Sequence, residues 1–151
     1  MGASGWQYVE DVPPVQPVDL GAALARLRER ILAVGDFYYT EDEWRSPRPT
    51  TMEELQAIRD TEEFWEVGSH SILDVDHVIG EHDEDHDGSV RPLSPRETER
   101  LFRTASPDLK LFAERSSELS ASLGRGWSGR CQVLYEDGLP TAVGFWGFSG
   151  D

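Results

Sequence analysis

Cysteine is almost missing from this chain: Cys131 is the only one in 151 residues. No internal disulfide is possible. The thiol sits in an apolar, strand-like run, where it reads as a small core residue of a protein kept in a reducing cytoplasm. On a strand, Arg130 points to the opposite face, so no basic neighbour is placed to activate Cys131. Long apolar runs are also absent, and nothing approaches the roughly 18 residues needed to span a bilayer. The opening MGASGWQYVEDV has neither a basic region nor an apolar stretch behind it, so no secretory signal is read there. Trp6 occupies the position where a myristoylation signal wants Ser or Thr. Lysine occurs once, at Lys110, against 13 arginines. No basic patch offsets phosphate repulsion, which argues against direct nucleic-acid binding. A Gly-rich phosphate loop, a G-x-S-x-G elbow and paired C-x-x-C motifs are all missing.

What is present is acid. The net charge is −15, and 17 acids against three bases fall within residues 36–87. The flanking segments are close to neutral. A charge excess serving solubility alone would be scattered, whereas this one is concentrated in the middle third. With 38% apolar residues and five tryptophans, the chain reads as one globular domain over 1–151.

Periodicity outlines the elements. GWQYVEDV, Gly5–Val12, alternates as a first strand, and a proline-rich linker ends it. Leu20, Leu24, Leu27 and Ile31 form a helical stripe, with Asp19 as cap, Gly35 as stop and the arginines at 26, 28 and 30 off the stripe. Thr50 or Thr51, followed by Glu53 or Glu54, opens a second helix. In SHSILDVDHVIG, β-branched residues and bounding glycines favour a strand. One face would then carry His70, Asp74 and Asp76, and the other Leu73, Val75, His77 and Ile79. SVRPL can pair with it, leaving 80–88 as a hairpin or crossing loop and Pro92 at an edge. Ser94-Pro95-x-Glu97 starts another helix, and Ser106-Pro107-Asp108 starts one running toward Gly124. Asp137-Gly138, between two apolar runs, marks a tight hairpin. The fold class predicted is α+β: an antiparallel sheet of four or five strands with three or four helices packed on it.

Two constellations could carry chemistry. Asp83, Asp85, Asp87 and Gly88 have the D-x-D-x-D-G spacing that opens a calcium loop. The twelfth position is Ser94 where a bidentate Glu belongs, so calcium is the weaker reading and a solvated turn the stronger. His70, Asp74 and Asp76, if they share a strand face, form a potential acid–base cluster. A polar, solvent-facing side of a half-buried strand is the stronger reading of them.

Three segments carry a resemblance: MGASGWQYV at the start, GSHSILDVDHVI in the middle and WSGRCQVLYEDGLPTAVGFWGFSGD at the end. They resemble a family of small actinobacterial proteins in which a THSILD-like segment precedes a G-R-x-x-V-L hairpin and the chain ends in F-W-G-x-S-G-D. The resemblance implies a single, unextended domain, and the single lysine against 13 arginines fits a GC-rich source. It assigns no activity and no catalytic or binding residue.

The residues point first to a non-enzymatic interaction protein, of the kind that immunity proteins and antitoxins represent. Its acidic middle would dock on a basic protein partner, with no nucleic acid or membrane involved. The contacts expected are Glu41, Asp42, Glu43, Glu62, Glu63, Asp83, Glu84, Asp85 and Asp87, with Phe64 and Trp65 as apolar anchors. The rival reading is a small enzyme or metal-binding protein using His70, Asp74 and Asp76, or Asp83, Asp85 and Asp87.

Overall fold

The first helix begins where Asp19 accepts a hydrogen bond from the Ala22 amide and ends at Gly35, whose φ of 75° only glycine adopts freely. A computed structural model describes residues 4–150. In chain order the strands are β1 (Ser4–Asp11), β2 (His77–Val78), β3 (Ser89–Pro92), β4 (Ser128–Glu136) and β5 (Leu139–Ser149). The helices are α1 (Leu20–Val34), α2 (Glu41–Trp44), α3 (Met52–Arg59), α4 (Glu62–Val67), α5 (Pro95–Phe102), α6 (Leu109–Glu114) and α7 (Ser116–Ala121). A 3-10 turn covers Ile72–Asp74.

One five-stranded sheet has the order β1-β5-β4-β3-β2. Its β1–β5 and β4–β5 pairs are antiparallel, while β2–β3 and β3–β4 are parallel. The sheet is therefore mixed, which corrects the expected antiparallel one. The reason is that residues 80–88 cross over instead of turning back, and α5–α7 form a second crossover between β3 and β4. Seven helices among the described residues replace the three or four expected. Two of the additions are short: α2 follows Thr40, and α4 is capped by Thr61. The helix expected from 109 onward is broken at Arg115 into α6 and α7.

Both faces of the sheet are covered. Val143, Phe145 and Cys131 join Leu24, Leu27 and Ile31 of α1 and Ile72, Leu73 and Val75 on one face. Ala142, Trp146 and Leu134 join Phe102, Phe112 and Leu119 of α5–α7 on the other. Burial on both faces explains why β5 reads as an almost continuous apolar run. Trp6 lies across two paired glycines, Gly129 and Gly147. A methyl group added at Gly129 would come within 2.7 Å of its ring.

Several local expectations hold. Asp137 and Gly138 take φ values of 52° and 79°, the left-handed pair of a tight hairpin. Ser94 and Glu97 form a complete capping box. Pro92 departs from expectation: β3 is not an edge strand but lies between β4 and β2, and the missing N–H breaks no ladder because β2 pairs only as far as Val90. A second expectation fails: Arg28 does not lie off the helical stripe. It is buried four residues after Leu24, and burial, with the Arg59 charge nearby, lowers its pKa to about 10. Arg26 and Arg30 do face outward and reach Glu10 on β1.

Candidate functional site

The starting ends of β2, β3 and β4 lie side by side, and β5 finishes there. This end of the sheet brings together residues 69–77 and 83–88, Trp127 and Ser149. The middle and C-terminal segments meet here, and Ser4 pairs with Ser149 at the start of β1.

Asp74 is at the centre and has no exposed surface. Its carboxylate accepts from the Ser69 amide and the Ser69 hydroxyl, both at 2.8 Å, and from the Ser149 hydroxyl. Burial pushes the Asp74 pKa above the ordinary carboxylate range, against the lowering effect of those hydrogen bonds and of nearby His70. His70 takes a left-handed backbone with φ 52°, and its ring meets Tyr38 edge-on at 5.1 Å. Asp76 turns elsewhere, to Arg59 and His77. The expected strand face of His70, Asp74 and Asp76 is therefore absent. The chain there makes a 3-10 turn, and β2 begins only at His77. Among the described residues the serine hydroxyls at Asp74 donate to its carboxylate, and none is hydrogen-bonded to an imidazole. The cluster works as a polar tie between the 69–74 loop and the end of β5.

A second line of groups runs outward. Arg59, at the end of α3, is buried and donates to Asp76 at 2.6 Å and to the Asp74 carbonyl at 3.2 Å. The other Asp76 oxygen lies 2.6 Å from His77 Nδ1, and His77 Nε2 lies 2.6 Å from His86 Nε2. Burial works to raise the Asp76 pKa, but the hydrogen bonds and charges of His77 and Arg59 outweigh it and hold the carboxyl below its ordinary value. His77 was expected on the strand face shared with Leu73, Val75 and Ile79. Its side chain is instead 43% exposed.

The acidic loop does not gather its carboxylates on one point. Asp83 accepts from the Gly80 amide, Asp85 forms two 2.7 Å bonds to Arg130, and Asp87 pairs with Arg125 at 2.6 Å. Among the described residues no group of three or more His, Cys, Asp or Glu is placed to share a metal ion. Ser94, at the twelfth position, is spent capping α5. Arg91 adds a third positive charge: it lies 3.9 Å from Asp85 and holds Glu97 by two bonds of 2.8 and 2.9 Å. That pairing pulls the Glu97 pKa down to about 2.

The helical acids behave differently. Residues 36–67 hold ten acids, and among the described residues none of them is in a salt bridge. Glu41, Asp42, Glu43 and Glu62 are exposed, and Glu63 is half-buried. Glu84, in the loop, is also exposed. Phe64 has no exposed surface and packs on Trp44 and Trp65, so it anchors the core and not a partner. Trp65 is half-buried, and its indole N–H donates to the Arg59 carbonyl. Cys131 is buried, which pushes its pKa to about 12 and leaves the thiol inert.

Sequence reading missed the His77–His86 contact and the ion pairs of Asp85 and Asp87. The only available signal was the choice of a crossing loop over a hairpin, since the parallel register puts His77 beside Ser89, three residues after His86. No described helix is long and apolar enough to cross a membrane. Compared with protein-family models, with curated proteins and with solved structures, the chain finds no match.

Proposed function

We propose that this is a non-enzymatic binding protein that docks on a basic protein partner, as an immunity protein or antitoxin does. The contact face is formed by α2 and α4, with Glu41, Asp42, Glu43, Glu62 and Glu63 as its charges and the half-buried Trp65 at its margin. One observation carries the reading: among the described residues the acids of residues 36–67 have no ion pair, although arginines elsewhere neutralise the neighbouring loop. An uncompensated patch repels itself, and a basic partner relieves that cost. Steering of this kind raises association rates by about 10- to 1,000-fold at low salt. The buried, unpaired thiol suits a reducing cytoplasm.

The test is charge reversal read by salt dependence. Wild type, a Glu41→Lys/Glu43→Lys/Glu62→Lys variant and a Glu84→Lys variant are immobilised and exposed to extract from the source cell. The expected result is a basic protein retained by wild type and by the Glu84 variant, released as salt rises, and lost from the triple variant. Identical retention by all three, with the same salt response, would overturn the reading.

A further inference from the structure

The His77–His86 contact has a lone-pair problem. His77 Nδ1 faces the Asp76 carboxylate at 2.6 Å, and His86 Nδ1 faces the Glu84 carbonyl at 3.4 Å. With both Nδ1 atoms as donors, neutral rings carry a bare lone pair on each Nε2, whereas a proton on His86 Nε2 would make the contact an ordinary hydrogen bond. Those two atoms point at each other from 2.6 Å. The ring centroids are 4.7 Å apart and the planes differ by 27°, so the rings meet tip to tip. Two bare nitrogens at that distance repel unless a cation lies between them.

We propose that His77 and His86 chelate a divalent late transition-metal ion of the zinc, copper and nickel class through their Nε2 atoms. Four features support this. Imidazole nitrogens are the ligands such ions prefer over carboxylate oxygens alone. A ligating histidine typically donates its other N–H to a carboxylate or a backbone carbonyl, and each ring here has one of these. Asp76 is itself fixed by Arg59 from the buried side, so the His77 ring is aimed before any ion arrives. Finally, both rings are open to solvent, one on β2 and the other on the crossing loop. With metal–nitrogen bonds of about 2.0–2.1 Å, tetrahedral ligation needs the nitrogens about 3.3 Å apart. The exposed loop carrying His86 has to swing outward by about an ångström and its ring has to tilt, so that the two lone pairs converge on the ion instead of facing each other. Water fills the remaining positions. The site is separate from the calcium-like run, because Asp83, Asp85 and Asp87 turn to other partners.

Zinc chloride is the probe, titrated calorimetrically into the intact chain, with calcium chloride as control. Wild type should bind one zinc ion and show no calcium heat. His77→Gln and His86→Gln should each abolish saturable zinc uptake, with unchanged near-ultraviolet circular dichroism showing that the fold persists. Asp76→Asn should retain uptake but weaken it by about 10- to 100-fold, as the loss of an orienting partner does. Nitrogen NMR of the wild-type imidazoles should show both Nε2 resonances, and neither Nδ1, shifting on saturation. Absence of saturable uptake in wild type overturns the proposal and leaves a shared proton as the bridging cation. Full uptake by either histidine variant also overturns it.

Discussion

Two acid-rich regions lie next to each other in sequence, and the fold treats them in opposite ways. Loop 80–88 is drawn against arginines from beyond residue 90: Asp85 against Arg130 and Arg91, and Asp87 against Arg125. The helices α2 to α4 keep all their acids but the half-buried Glu63 in solvent, without a counter-charge among the described residues. Counted by segment, residues 88–151 look self-neutralised, with eight acids and eight bases. In space they are not, because Arg125 and Arg130 sit where β4 begins, at the end of the sheet to which the loop returns. Charge excess in a segment thus measures a docking face only after pairing across the fold has been subtracted. A reversal at Asp85 reports on folding, and a reversal at Glu62 reports on the surface.

The sharpest way to break this distinction is to remove Asp85. Its side chain is 14% exposed and that of Arg130 6%. Asp85→Ala leaves the guanidinium buried without its partner, and the expected loss is about 3 kcal/mol. Glu62→Ala should stay within about 0.5 kcal/mol of wild type. Urea unfolding of the two variants decides the point: equal midpoints would mean that loop and helices are equally superficial.

A smaller effect follows from Arg91, which lies between Asp85 and Glu97 and extends the paired region into α5. The Glu97 pKa is about 2 in the fold, below its ordinary value of about 4.3. A depressed acid contributes stability above the unfolded pKa and loses it as pH falls through the folded one. Glu97→Gln keeps a side chain able to cap α5 but removes the charge. It should cost about 2 kcal/mol at pH 7 and almost nothing near pH 2. Denaturant midpoints across that range should therefore converge at the acid end. A constant gap between wild type and variant would mean that the capping geometry, and not the ion pair, is what the substitution damages.

Much of the fold was legible where a signal was local. The hairpin at Asp137-Gly138, the capping box at Ser94 and Glu97, and the helix from Asp19 to Gly35 each depend on residues within a few positions. The topology in the middle was not. β2 is two residues long, too short for any periodicity, and SHSILDVDHVIG alternates well enough to imitate a longer strand. Polarity also misled: Arg28 looks like a surface residue of α1 and Asp74 like a surface residue of a strand, yet both are buried. Of the candidate contacts, the exposed acids of α2 and α4 were foreseeable from composition. The His77–His86 pair was not, because it depends on the parallel crossover.

The finest comparison lies within α4 itself. Glu62 and Glu66 are both exposed, four residues apart on one face of a six-residue helix. Like charges at that spacing destabilise a helix by a few tenths of a kcal/mol. Their positions differ relative to the helix dipole: Glu62 opens the first turn, where negative charge is favourable, and Glu66 sits in the last turn, where it is not. Glu66→Gln removes both unfavourable effects and should stabilise the protein by about 0.5 kcal/mol at low salt. Glu62→Gln relieves the repulsion but sacrifices the favourable dipole contact, so its net effect should be near zero. In 1 M salt the Debye length falls to about 3 Å and the advantage of Glu66→Gln should disappear. Urea midpoints measured at low and high sodium chloride check this, since urea adds no ions of its own. If Glu66→Gln gives no gain at low salt, the face is not under electrostatic strain and offers a basic partner nothing to relieve.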